Sequence, residues 1–155
     1  MSFLLKPFFS IFLLFHISII LKANTTPSNK AISPYRITIT NRDIPEVVVG
    51  CDDLGGDTLS PGNSFSWRFR MNLLSTNQYN CRFYWLDDKT HEIQNYNTFT
   101  VFNEDFTQPD LCGIDIFFRT TRCYWYVTQN GFYFSKNNGS FPSSEWRMMY
   151  GWNKI

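Results

Sequence analysis

Apolar and polar residues alternate with period two through much of the chain after Tyr35, and turn residues bound each alternating run. Such runs bury one face of an extended strand and wet the other. In Tyr35–Asn41, Ile37 and Ile39 interleave with Thr38 and Thr40. Residues 41–45 read as a turn, and Glu46–Cys51 as a second strand. After further turns at 52–57 and at Pro61-Gly62, residues 64–71 set Phe65, Trp67, Phe69 and Met71 against Ser66, Arg68 and Arg70. Residues 78–86 place Cys81, Phe83 and Trp85 on one face, with Arg82 and Tyr84 on the other. Thr98 to Phe102 is another short strand. Residues 122–128 bring together Cys123, Trp125 and Val127, and Gln129-Asn130-Gly131 turns the chain back through Phe132 to Phe134. An Asn-Gly pair suits the positive φ of a tight hairpin.

Two strands that each align a cysteine with a tryptophan predict two sheets packed face to face, with aromatic side chains filling the gap. The expected fold is all-β: a small antiparallel β-sandwich stapled by two disulfides, with Trp67, Phe69, Phe83, Trp85 and Trp125 in its core. Residues 103–118 carry no periodic pattern. Residues 141–155 hold Trp146, Tyr150 and Trp152, too aromatic for a free tail, and are expected to fold back against the sheets.

Ahead of the strands, an apolar run from Phe8 to Leu21 follows Lys6 and ends at Lys22-Ala23. A positive start, an apolar core and a small residue mark residues 1–23 as a secretory signal peptide. The run is nearly long enough to be an uncleaved membrane anchor. Pro7 and the polar stretch behind it favour cleavage, so no membrane insertion is expected of the mature chain. Residues 24–34 form a flexible lead-in, and 35–155 a single domain. The 132 residues left after cleavage bury roughly two thirds of their unfolded surface and form a core without relying on disulfides.

Loss of Lys6 and Lys22 leaves 12 basic and 13 acidic side chains, moving the net charge from +1 to −1. A nearly neutral secreted domain has no electrostatic footprint for nucleic acid or anionic lipid. Cys51, Cys81, Cys112 and Cys123 all lie in the mature part, and an even number in an exported domain implies two disulfides among three possible connectivities. The nested pairing Cys51–Cys123 with Cys81–Cys112 is favoured because its inner bridge closes the smaller excursion. No C-x-x-C spacing occurs, and residues 52–57 lack the alternating oxygens of a calcium loop. No metal or other cofactor is expected.

His91 is the sole histidine after residue 23. A ribonuclease using a histidine pair is therefore excluded, and a Ser-His-Asp triad would have to use His91, which has no nucleophile-elbow sequence near it. A carboxylate pair facing across a cleft is the remaining enzymatic reading. The expectation is a non-enzymatic, monomeric protein. The most hydrophilic stretch, residues 87–97, reads as the long tip of a hairpin, and loops at sandwich ends commonly carry binding function. Asp87, Asp88, Lys89, His91, Glu92 and Asn95 are its candidate contacts to a membrane receptor on another cell; the plainer reading is a solvated connection. Outward aromatics (Tyr84, Tyr124 and Tyr126) are the stacking platforms of the alternative, a carbohydrate-binding or defence module. Asn24-Thr-Thr and Asn138-Gly-Ser are glycosylation sequons.

Taken in order, Ile37-Thr-Ile-Thr-Asn41, Cys51 ahead of Asp53-Leu54-Gly55, Trp67-Arg-Phe69 and Asn72 open a recognisable series. Cys81-Arg-Phe-Tyr-Trp85, Phe99-Thr-Val-Phe102, Cys112, Cys123-Tyr-Trp125-Tyr-Val127 and Gly131-Phe-Tyr133 continue it. Over residues 36–135 the chain resembles the plant self-incompatibility S-protein homologues, small secreted proteins of the kind first known from poppy stigmas. The resemblance implies a β-sandwich with two disulfides and an extracellular ligand role. In the stigma members, a pollen receptor reads the protein allele by allele, and calcium entry and arrest of self pollen follow. Two features depart from the pattern: the compressed Cys51-Asp-Asp-Leu-Gly, and the apolar Ile114, Ile116, Phe117 and Phe118 between Cys112 and Cys123.

Overall fold

The computed structural model describes residues 34–155 except 73, 75, 109, 110, 116 and 118. The expected signal peptide, the lead-in up to residue 33 and the Asn24 sequon lie outside the described residues. In chain order the strands are β1 (Tyr35–Asn41), β2 (Glu46–Cys51), β3 (Gly55–Leu59), β4 (Ser64–Phe69), β5 (Tyr79–Leu86) and β6 (Ile93–Phe102). They continue with β7 (Gly113–Asp115), β8 (Thr120–Thr128), β9 (Gly131–Ser135), β10 (Arg147–Tyr150) and β11 (Asn153–Lys154). One sheet runs β10-β9-β8-β1-β4, with β7 also paired to β8; the other runs β11-β6-β5-β2-β3. The protein is an all-β sandwich.

One ladder departs from the antiparallel expectation. β1 lies parallel to β8, with Tyr35 beside Thr121 and Asn41 beside Val127. A parallel neighbour needs a long crossover, and here the intervening chain builds β2, β3, β5 and β6 of the second sheet and adds β4 and β7 to the first before it returns. The alternation then does what period two dictates. Ile37, Ile39, Cys123, Trp125 and Val127 of the first sheet, and Val47, Val49, Phe83 and Val101 of the second, are fully buried. Trp125 spans the gap, its Nε1 donating to the Val101 carbonyl at 3.1 Å. Trp67, Phe69 and Trp85 pack against this core only half-buried. β4 is an edge strand, so Trp67 and Phe69 cover the margin against Tyr79, at 5.5 and 4.8 Å between rings.

The disulfides correct the nested pairing. Cys51 bonds Cys81, and Cys112 bonds Cys123. Cys51 and Cys81 face each other across β2 and β5, whereas Cys123 belongs to the other sheet. Cys112 stands immediately before β7, which pairs with β8, the strand that carries Cys123, so each bridge joins cysteines that strand pairing has already brought together.

Three segments become strand where the sequence suggested turn, loop or irregular chain. Gly55 to Leu59 forms edge strand β3 after a 3-10 turn at Asp52–Leu54. Gly56 stands opposite Gly50, where an added Cβ would run into the Val49 carbonyl. Residues 113–115 add β7, and 93–97 lengthen β6. In the aromatic tail, β10 pairs with β9 in one sheet and β11 with β6 in the other.

Candidate functional site

The hairpin between β5 and β6 closes at Leu86 and Ile93, so the hydrophilic tip is residues 87–92. Asp87 organises it. Its Oδ1 accepts from the Lys89 and Thr90 amides, both at 2.9 Å, and from Thr90 Oγ1 at 3.3 Å. The Asp87 amide donates to the Glu92 carbonyl at 2.9 Å, and the His91 amide to the Asp87 carbonyl at 3.0 Å. The Thr90 amide first, then the Lys89 amide, hold the Asp87 carboxyl below its ordinary value, because hydrogen bonds to the charged form favour that form. His91 turns the chain with φ of 55°, and its Nδ1 lies 2.9 Å from Glu46 Oε2. Glu46 begins β2, which pairs with β5. Nothing in the sequence pointed to Glu46 as the partner, since 45 residues separate the two.

Asp87, Asp88, Lys89, His91 and Glu92 thus share one exposed tip. Asn95 does not. It lies in β6, between Trp85 of β5 and Lys154 of β11. The polar run 93–97 hid a strand, because two neighbouring strands satisfy its backbone while its outward side chains stay wet.

The tyrosine platforms separate as well. Tyr126 is only 6% exposed. Trp146 stacks on it at 3.7 Å between ring centroids, and the Arg42 guanidinium lies 4.7 Å from its ring centre. Its hydroxyl donates to Asn138 Oδ1 at 2.8 Å. Tyr126 is therefore covered and offers no stacking face, whereas Tyr84 and Tyr124 are half-buried. Asn138, in the second sequon, is exposed. The acidic turn after Cys51 serves the fold: Asp52 Oδ2 accepts from the Asn80 amide at 2.7 Å. Three surface clefts each carry a single carboxylate, from Glu104, Asp115 and Glu145 respectively.

Residues 39–152 match the family described as plant self-incompatibility protein S1, which is well over half of the chain. The chain belongs to this family. Among its relatives, S-protein homolog 2 of Arabidopsis thaliana is 30% identical over 103 residues, which are 66% of this chain and 55% of that protein. The chain thus spans about half the length of the relative it matches. Among solved structures, one of an SPH (Self-Incompatibility Protein Homologue) protein superposes with a TM-score of 0.52 at 16% identity, covering 79% of this chain and 97% of that one. Its family is described as widespread, small, highly stable, secreted proteins from plants. At that identity the likeness concerns the sandwich. The S1 family match extends to residue 152, so it takes in β10 and the turn ahead of β11.

Proposed function

We propose that this member of the plant self-incompatibility protein S1 family is a secreted, non-enzymatic, monomeric ligand, read by a cell-surface receptor through the 87–92 tip. Export fits the two intact disulfides, which persist in oxidising compartments, and the description of its structural relatives as secreted. The observation that carries the reading is the pre-ordering of the tip. Five charged or imidazole side chains sit on a loop of six residues whose backbone Asp87 ties down. A charged loop held in one conformation loses little entropy on binding, and charges at a rim govern partner choice more than bulk affinity.

The test replaces Asp87, Asp88, Lys89, His91 and Glu92 together by serine and glycine, with glycine at His91 to suit its positive φ. The swapped protein is expected to keep its melting temperature within a few degrees and to lose binding to the responding cells. Binding equal to that of the unaltered protein would remove this loop from the interface.

A further inference from the structure

The outer face of the first sheet carries a row of like charges. Ile37, Ile39, Cys123 and Trp125 point inward and are fully buried, so Arg36 and Arg122 point outward, and in β4 Arg68 does the same. The register sets Arg68 opposite Arg36 and Arg36 beside Arg122. Three arginines therefore stand shoulder to shoulder across β4, β1 and β8. Like charges directly opposite on neighbouring strands are destabilising, and a row of three repeats that penalty.

Its surroundings are cationic and hydroxylated. Exposed Arg70 and Arg119 lie just beyond β4 and β8, at the end of the sheet where β1 begins. Asp115 of β7 supplies a counter-charge on this face, at 2.7 Å from Arg122 Nη2. Arg68 Nη2 donates to the neutral hydroxyl of Thr120 at 3.3 Å. Gly113 stands opposite Arg122, where the lack of a side chain lets the Lys136 backbone approach, and beside it Arg122, Asp115, Tyr124, Lys136 and Asn137 line a cleft of about 200 Å³. The next row along the strands is Ser66, Thr38 and Tyr124.

We infer that this face binds an acidic polysaccharide built of uronic acids. Strand spacing sets the backbones of neighbouring arginines about 4.8 Å apart, so the row crosses about 10 Å of sheet. That suits a ligand whose charges recur along a chain better than one compact anion. A guanidinium fork grips a carboxylate through two parallel hydrogen bonds. The adjoining hydroxyl row and the Tyr124 ring match the hydroxyls and apolar ring faces of a sugar. The surface lies on the other sheet from the 87–92 tip, and the inference is independent of the receptor reading.

The test titrates the secreted full-length product with oligogalacturonate as the free acid and as the fully methyl-esterified oligomer, by calorimetry at low and at physiological salt. The free acid is expected to bind saturably, more weakly as salt rises, and the ester not to bind. The double variant Arg36→Gln/Arg68→Gln should bind at least tenfold more weakly. Arg36→Lys/Arg68→Lys, which keeps the charge without the fork, should fall in between. An Asn138→Gln background keeps any glycan at that sequon from covering the cleft, and the loop-swapped protein should bind the oligomer as the unaltered one does. Equal binding of acid and ester, full binding by the folded glutamine variant, or no binding of the acid overturns the inference. So does equal uptake by phosphatidylserine vesicles or single-stranded RNA, since the face would then discriminate charge alone.

Discussion

Asn41 shows how much one buried side chain settles. It is fully buried, and its Nδ2 donates to the carbonyls of Ile44 and Leu59 at 2.6 and 2.7 Å while its Oδ1 accepts from the Ile44 amide at 3.1 Å. The amide thereby closes the turn after β1 and pins it to β3. Asn41→Ala should destabilise the protein by about 3 kcal/mol or more in urea melts, since each buried group left unpaired costs about 1–3 kcal/mol. Asn41→Asp should be worse, because a carboxylate would face two carbonyl oxygens. Asp87 acts on the surface. Its depressed pKa means that its contribution to loop order is complete above the ordinary carboxylate value and is lost as pH falls through the lowered one. The Lys89 and Thr90 amide NMR shifts should therefore hold steady from neutral pH down past the usual carboxylate range and move together below it. Asp87→Asn should abolish that acid transition.

Among the elements, the disulfides close loops of unequal length. Cys51–Cys81 spans 30 residues of sequence and Cys112–Cys123 spans 11. If the bridges stabilise mainly by restricting the unfolded chain, the double alanine variant of the first pair should lose about 1 kcal/mol more than that of the second. Equal losses in denaturant melts would point to strand contacts in place of chain entropy. The strands themselves differ in how they could be read. β1, β4, β5 and β8 announced themselves through apolar residues recurring at every second position, and β2 through its run of three valines. β3 and the first half of β6 did not, since Gly55-Gly56-Asp57 and Gln94-Asn95 have a composition typical of turns. Their strand character comes from neighbours that complete their hydrogen bonds.

At the scale of the whole molecule, the tail holds the sandwich shut along one side. β10 belongs to one sheet and β11 to the other. Between them Trp152 packs on Phe132 at 4.5 Å and on Trp85 at 5.9 Å, and donates from Nε1 to the Thr128 carbonyl at 2.8 Å. Truncation after Ser140 removes both strands and uncovers Phe99, Phe132 and Tyr126. The shortened protein should bind a hydrophobic dye and elute as aggregate, whereas Trp152→Ala alone should stay folded with a loss of about 3 kcal/mol. The sequence by itself determined the sandwich, its aromatic filling and the hydrophilic hairpin tip, because burial on one strand face is written locally, two residues at a time. The tertiary structure alone decided which cysteines meet, that β1 runs parallel to β8, that Tyr126 is covered and that three arginines form one row. Those outcomes depend on which strands become neighbours and in what register, and that is set by packing between segments far apart in the chain.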